Sequence, residues 1–266
     1  MNWGKMKTLF IYLFVALNAV LLTFYIYTVQ KNKTEIVQEK EIIERSMKND
    51  NITVEENATK RDNLGYVNVT ISDLKDIRKE DSGLKYEVEN VDKTSTLKVS
   101  SENVITNVNK GSYRAELDSF LLEKMKLSAN YIFSSYNSSK NEVIFEQQID
   151  SFRVFSNKNA RIVFSVESNG DIKSFTLTSV SNIRKDKNET LVPSSQAINR
   201  LYHEDLIPKN CRVRTTLGYY TYISQTENQV LIPTWNVEIS DKDGQISNYY
   251  VDAINLNVLN RKGHSS

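Results

Sequence analysis

The stretch VESNGDIKSFTLTSV, residues 166–180, contains the pattern that decides the fold of most of this chain. Apolar and polar residues alternate in the part of the stretch that follows Gly170, as expected for a half-buried strand, and Asn169-Gly170 marks a tight turn. A second stretch, ISDKDGQISNYYVDAI (residues 239–254), has the same pattern around Asp243-Gly244. Both dipeptides favour the type I′ turn, in which the two central residues have positive φ. The sequence therefore predicts two similar β-hairpins.

The two hairpins superpose at an offset of 74 residues. Gly170 then matches Gly244, and three apolar positions also coincide, namely Ile172 with Ile246, Phe175 with Tyr249 and Leu177 with Val251. Other period-two segments, such as Val67–Ile71 and Leu84–Val88, predict further strands before and between the hairpins. This self-similarity predicts a structural unit that is used twice.

A helix is expected before each hairpin. Ser112 is placed to cap the first, whose apolar face is Leu117, Phe120, Leu121 and Met125. The second begins near Pro193, buries Ile198, Leu201 and Tyr202, and ends before Pro208, which cannot continue a helix. We therefore predict an α+β fold with two related units, residues 63–188 and 189–266, each a helix packed on an antiparallel sheet. The second unit would end in a disordered tail.

The N-terminal region differs sharply from the rest. Residues 8–29, TLFIYLFVALNAVLLTFYIYTV, carry no charge and are long enough to cross about 30 Å of hydrocarbon as a helix. The segment ends in aromatic and β-branched residues instead of the small residues of a signal-peptide cleavage site. Residues 1–30 are thus expected to form a cytoplasmic tail and a single transmembrane anchor in the cell membrane. Residues 31–62 would form a charged stalk, and the C-terminal domain would be extracytoplasmic.

Asn18 lies near the middle of the apolar segment, where no water is available to its carboxamide. It either bonds to its own backbone, as a tolerated lone polar residue, or bonds to a partner helix, since polar residues at this depth usually face protein. A separate face with Ala16, Ala19 and Thr23 is small enough to let another helix approach closely. Ala16, Asn18, Ala19 and Thr23 are therefore the candidate residues for contact with a partner helix.

The remaining residues indicate no catalytic, cofactor or metal site. After residue 30 the chain carries 32 basic and 33 acidic residues, so it has no excess positive charge for nucleic acid. His203, Glu204 and Asp205 are consecutive on a helix end and point in different directions. Cys211 is the only cysteine and excludes an internal disulfide; it is expected to be buried. The sequence thus predicts a protein that is not an enzyme and binds no cofactor, metal or nucleic acid.

The two ends of the chain resemble the YycI family. The start, MNWGKMKTLFIYLFVALNAVL, combines a short segment containing Trp and Lys with an apolar span that contains Asn; the end, IPTWNVEIS followed by NYYVDAINLNVL (residues 232–259), is similar to the end of that family and to PepSY-type hairpins. PepSY-like ends usually carry Gly where Leu256 stands here, so the final turn is expected to differ in shape.

The resemblance implies a function that the residues alone do not. It implies a membrane-anchored regulator of the YycG/YycF (WalK/WalR) two-component system, which controls cell-wall metabolism in Gram-positive bacteria. Such proteins bind the sensor histidine kinase together with a YycH-like companion. Two alternatives stay open at this point, a membrane-tethered cell-wall enzyme and an extracytoplasmic ligand-binding domain that acts without a kinase.

Overall fold

The structure is a computed structural model that describes residues 3–55, 63–75, 83–91, 94–125, 127, 130–221, 227–260 and 264–265, with side chains described outside residues 3–5, 29–40 and 264–265. The chain forms two compact units, Met1–Thr53 and Val54–Ser266. The second unit is called the body.

The first unit is dominated by one long helix, α1 (Trp3–Asn49). Its segment Met6–Thr28 has 23 residues, a mean hydropathy of 2.3 and no buried residues, and within the described part of the chain it is the one helix long and apolar enough to cross a membrane. The helix ends in a Schellman motif: Ile52 N–H donates to the carbonyl of Met47, and Asn51 has a φ of +56°. The first half of the predicted stalk, residues 31–49, is therefore helical.

The body consists mainly of β-strands, with two further helices. The helices are α2 (Tyr113–Phe120), which continues into a π-helical turn (Leu121–Met125), and α3 (Ser194–His203). The strands are β1 (Thr53–Glu55), β2 (Asn63–Leu64), β3 (Val67–Ile71), β4 (Leu84–Val91), β5 (Thr94–Ser101), β6 (Thr106–Asn107), β7 (Asn130–Asn137), β8 (Glu142–Ile149), β9 (Phe152–Phe155), β10 (Arg161–Val166), β11 (Asp171–Leu177), β12 (Val180–Lys185), β13 (Glu189–Thr190), β14 (Arg212–Tyr220), β15 (Asn228–Ser240), β16 (Ile246–Asp252) and β17 (His264–Ser265).

Strands of both halves of the body join in one hydrogen-bonded sheet, and β2 and β13 form a separate pair. Its main path runs β12-β3-β15-β14-β9-β8-β10-β11-β5-β4, while β7 pairs with β8, and β16 pairs with β15. The pairing of β14 with β9 is parallel, whereas the neighbouring pairs β8/β9 and β14/β15 are antiparallel. The fold is thus α+β with a body made mostly of sheet, as predicted at the level of fold class.

Helix α2 and the π-helical turn cover the sheet of the first half. The face predicted from the apolar spacing is buried, with Leu117, Leu121 and Met125 packed into the core and Phe120 half-buried beside it. The sheet contributes the large buried side chains Phe145, Phe164 and Phe175, among others. Each fully buried side chain of this size stabilises the fold by roughly 1.5–3 kcal/mol relative to its exposed state.

Helix α3 has the same role in the second half. It begins after Pro193, buries Ala197, Ile198 and Leu201, and ends before Pro208 as predicted; Tyr202 is only half-buried. The segment before the helix is tied to β15, because the indole N–H of Trp235 donates to the carbonyl of Val192 at 2.9 Å.

The predicted type I′ turns are wrong in detail. Only the glycine of each pair has a positive φ, +88° at Gly170 and +79° at Gly244, and in each turn the glycine amide donates to the residue three positions earlier. Three residues lie between the last hydrogen-bonded positions of each hairpin, whereas a type I′ turn has a loop of two. Each loop is therefore a type I turn followed by a glycine with positive φ. The two hairpins remain alike.

The C-terminal segment differs from the disordered tail that the sequence predicts. Strand β17 pairs with β16 through His264 and Ser265. Residues 261–263 and 266 lie outside the described part of the chain. At Leu256 the expected change in the final turn is not found, since its φ of +57° is the left-handed conformation that a glycine would adopt there.

Candidate functional site

The polar residues that the sequence singled out do not assemble into a site. Glu204 forms an ion pair with Arg200 at 2.7 Å on the surface of α3. Within the described residues no group of three or more His, Cys, Asp or Glu side chains lies close enough to hold a metal ion. Cys211 is buried, and burial together with the Asp241 carboxylate raises the pKa of its thiol, so the thiolate that a nucleophile requires is disfavoured.

The four candidate residues on the membrane helix divide between two of its faces. A shallow groove is lined by Ala19, Thr23 and three larger neighbours, Val20, Phe24 and Tyr27. Thr23 donates its hydroxyl hydrogen to the carbonyl of Ala19 at 2.8 Å and so presents its methyl group and no free donor to this groove. Successive helical residues are rotated by about 100°, so Asn18 points away from the groove.

The carboxamide of Asn18 bonds to its own helix, since its Nδ2 donates to the carbonyl of Phe14 at 2.8 Å. One such bond uses one of the two amide hydrogens and none of the accepting capacity of Oδ1. The intrahelical bond lowers the cost of placing the residue at this depth, and the carbonyl keeps its ability to accept a bond from another helix.

The body contains a cleft of about 730 Å³. It is lined by the start of α2 and by residues from β7, β8, β9, β15, β16 and the turn before β16, so both halves of the body contribute. The lining residues are Tyr113, Arg114, Phe133, Ser134, Ser135, Tyr136, Glu146, Arg153, Phe155, Asn236, Glu238, Gly244, Gln245, Ile246, Asn248 and Tyr250. Its volume lies within the range of roughly 300–1,000 Å³ that is usual for small-molecule sites.

Glu146 is the buried acid of this cleft. Its two carboxylate oxygens accept hydrogen bonds from the Ser156 amide at 2.7 Å and the Ser134 hydroxyl at 3.1 Å, and the Arg153 guanidinium lies 3.7 Å away. Burial raises the pKa of the Glu146 carboxyl in spite of these contacts, which act in the opposite direction. The side chain is therefore held in one position by its neighbours.

Asn236 carries a buried acceptor that lacks a protein partner. Its side chain lies in the cleft lining and is 9% exposed, and no hydrogen-bond donor of the described residues reaches its Oδ1. It is the one buried side-chain nitrogen or oxygen atom of the described chain in this condition. An unpaired buried carbonyl costs about 1–3 kcal/mol, so a donor from outside the chain would be stabilised there.

Aromatic rings and two arginines form the rest of the lining. Tyr250 stacks on Phe155 with ring centroids 5.6 Å apart, and the Arg114 guanidinium lies 4.1 Å from the centre of the Phe133 ring. The guanidinium of Arg153 also donates to the carbonyl of Phe133 at 3.1 Å. The cleft thus combines fixed rings with donors and acceptors.

Sequence reasoning missed this cleft. Asn236 stands between the apolar residues Trp235 and Val237 of one strand, and Glu146 follows Phe145 in the middle of another. A polar residue within a buried strand is the signal that would have drawn attention to both positions.

Solved structures and one protein family are similar to this chain. No curated protein sequence matches it. Among solved structures, a protein of uncharacterized function from Eubacterium rectale superposes with a TM-score of 0.46 at 9% identity, covering 79% of this chain and 90% of its own. The YpeB C-terminal domain of Bacillus megaterium superposes with a TM-score of 0.42 at 13% identity, covering 86% and 96%.

A family model supplies the assignment. The model described as YycI protein matches residues 30–254, which is most of the chain and nearly all of the body. This match agrees with the resemblance at the C-terminal end of the sequence, and it begins just after the apolar helix Met6–Thr28. The chain belongs to the YycI family.

Proposed function

We propose that this protein is a non-enzymatic, membrane-anchored regulator that binds the sensor histidine kinase of a YycG/YycF (WalK/WalR) two-component system. A YycH-like companion would be part of the same complex. The family match over residues 30–254 carries the proposal, because the YycI family is one of two-component regulators. The apolar helix Met6–Thr28 supports it, since a regulator with such an anchor shares the membrane with its kinase.

The proposed topology places the short N-terminal tail in the cytoplasm and the body outside. Basic residues flank the uncharged segment on both sides, Lys5 and Lys7 before it and Lys31 and Lys33 after it, so the flanking charges alone do not decide the orientation. Long C-terminal domains are translocated largely regardless of charge, so the basic tail stays inside.

The contact with the kinase or the companion is proposed to involve the membrane helix. Ala16, Ala19 and Thr23 would allow close packing, and the Oδ1 of Asn18 would accept a hydrogen bond from the second helix. Bonds of this kind contribute roughly 0.6–2 kcal/mol, or about three- to thirty-fold in association. This is enough to adjust the affinity of a complex whose contacts extend beyond one residue.

Purification from detergent-solubilised membranes tests the proposal. The full-length chain, tagged at its C-terminus and expressed in a Gram-positive host, is expected to retain a sensor histidine kinase that a tagged unrelated single-span protein does not. Asn18→Leu should keep abundance and insertion while recovering about three- to thirty-fold less kinase. Thr28→Val is the matched control, because Thr28 also bonds to its own helix backbone, at 2.9 Å from the Phe24 carbonyl. Absence of any kinase in the purified wild-type material would refute the proposal.

We also propose that the body consists of two related units, residues 63–188 and 189–266. Support comes from the hairpins, whose pairs Val166/Ile172 and Ser240/Ile246 coincide at the offset of 74. Both hairpins close with the same type of turn, and a helix precedes each of them. A repeated unit of this kind would give the regulator two equivalent surfaces.

A further inference from the structure

We propose that the cleft around Asn236 and Glu146 is a binding site for a neutral, hydroxyl-rich ligand of the saccharide class. This inference does not depend on the regulatory function or on the membrane helix. It rests on four features of the cleft, namely an unpaired buried acceptor, balanced charge, mixed hydrogen-bonding groups and exposed aromatic surface.

The unpaired acceptor identifies what the ligand must supply. Asn236 Oδ1 is buried in the lining and has no donor within the described chain, whereas Glu146, also in the lining, accepts hydrogen bonds from Ser134 and Ser156 and lies 3.7 Å from Arg153. The great majority of buried polar atoms in proteins are paired, so an exception needs an explanation, and a donor from outside the chain supplies one. The ligand therefore carries an O–H or N–H group. Because Asn236 Oδ1 has almost no accessible surface, we expect the Asn236 side chain to turn toward the cleft when that group binds.

The charge of the lining argues against an ionic ligand. Its ionisable side chains of fixed sign are two arginines, Arg114 and Arg153, and two carboxylates, Glu146 and Glu238. All four already have partners: Arg153 lies beside Glu146, and Glu238 lies 3.9 Å from Arg214. Arg114 donates to the Tyr113 hydroxyl at 3.2 Å and lies over the Phe133 ring. A carboxylate or ammonium group would meet as much repulsion as attraction, so the favoured ligand is neutral.

The mixture of donors and acceptors favours hydroxyl groups over groups that only donate or only accept. Ser135 and the amide of Gln245 can do both, Ser134 Oγ can accept while it donates to Glu146, and Asn236 Oδ1 only accepts. A hydroxyl group donates one hydrogen bond and accepts two, so a ring that carries several of them matches such a lining at successive positions.

The aromatic residues supply the surface on which a sugar ring would lie. Tyr113, Phe133 and Tyr136 are half-buried at the cleft, and stacking of Tyr250 on Phe155 fixes the position of the deeper rings. The C–H face of a pyranose packs against such rings while its hydroxyl groups point to the polar residues. Rigid aromatic surface adds contact area at a low cost in conformational entropy.

Calorimetry on the full-length chain tests the inference. The protein is held in a polyoxyethylene detergent, because detergents with sugar headgroups would compete for the cleft. The probes are chitotetraose and cellotetraose, and tetra-alanine is the comparison ligand. We expect saturable binding of at least one tetrasaccharide and none of tetra-alanine. Asn236→Leu, which removes the unpaired oxygen and keeps the volume, should weaken binding about tenfold or more.

Asn103→Leu is the matched control, since Asn103 is exposed and lies outside the cleft lining; its affinity should equal that of the wild type. If Asn236→Leu fails to fold, Asn236→Ala removes the same oxygen without adding bulk and takes its place. The inference is overturned if neither tetrasaccharide binds, if the Asn236 variant binds as tightly as the wild type, or if tetra-alanine binds equally well.

Discussion

At the scale of single residues, Leu256 shows how neighbouring hydrogen bonds hold a residue in an unfavourable backbone conformation. Its φ of +57° lies in the left-handed region, which disfavours a residue with a Cβ by about 1–2 kcal/mol. The carboxylate of Asp252 holds the turn in place, because its Oδ1 accepts bonds from the amides of Ile254 at 2.7 Å and Asn255 at 3.0 Å. The turn keeps its shape although the glycine typical of related sequences is missing.

The cost at Leu256 can be measured with a pair of variants. Leu256→Gly and Leu256→Ala both lose the half-buried side chain, but only glycine adopts positive φ freely. We expect the glycine variant of the body fragment Val54–Ser266 to have a free energy of unfolding about 1 kcal/mol higher than the alanine variant. Urea denaturation measures the difference, and equal midpoints would show that the backbone at this residue is unstrained.

Glu146 should make the stability of the body depend on pH. Burial raises the pKa of its carboxyl in the folded state above the ordinary value of 4.5. As pH rises from that ordinary value to the raised one, the unfolded chain loses this proton first, so the free energy of unfolding falls. Glu146→Gln lacks the titration. The stability of the wild type relative to this variant is therefore expected to decrease as pH rises through that window, in urea titrations at a series of pH values. A constant difference would mean that Glu146 has an ordinary pKa.

At the scale of secondary-structure elements, the two hairpin glycines occupy equivalent positions in different surroundings. A Cβ at Gly170 would lie 2.5 Å from Asn109 Nδ2, whereas a Cβ at Gly244 would meet no atom within 4 Å. Gly244→Ala should thus cost about 1 kcal/mol from positive φ alone, and Gly170→Ala should cost more. Thermal melts of the body fragment compare the two, and a smaller loss at Gly170 would contradict the crowding at that turn.

The hairpins also show which parts of the fold follow from the sequence. Period-two apolar spacing and the Asn-Gly and Asp-Gly pairs located both hairpins, because alternation and turn residues act over a few neighbours. The same spacing did not distinguish a two-residue from a three-residue loop, since the register of a hairpin depends on pairing beyond the turn. The parallel contact of β14 with β9 was not predicted either, because it joins residues about 65 positions apart.

The cleft illustrates the same limit for the candidate site. Asn236 and Glu146 are 90 positions apart in sequence, and neither lies in a recognisable motif. Their relation arises only when β8, β9 and β15 take their places in the sheet. In contrast, the predicted contact residues of the membrane helix are neighbours along one element, so the sequence alone sufficed to propose them.

At the scale of the whole molecule, the chain joins a helix suited to a bilayer with a body that carries its own core and cleft. The two parts offer different kinds of contact, lateral packing within the membrane and ligand or protein binding by the body. If the membrane helix contributes specific contacts, an unrelated apolar span cannot replace it. If it only tethers the body, any span of sufficient length will serve.

Exchange of the span separates these possibilities. Residues 8–28 are replaced by a leucine-rich span of equal length, which keeps the anchor and the basic tail and removes Asn18 and the groove at Ala19 and Thr23. We expect the exchanged protein to reach the membrane in normal amounts but to recover at least tenfold less histidine kinase on purification, since it lacks both the packing and the hydrogen bond. Ala19→Ile in the native span fills the same groove with a larger side chain, and should reduce recovery by a smaller factor. Full recovery by the exchanged protein would assign kinase binding to the body and leave the membrane helix as a tether.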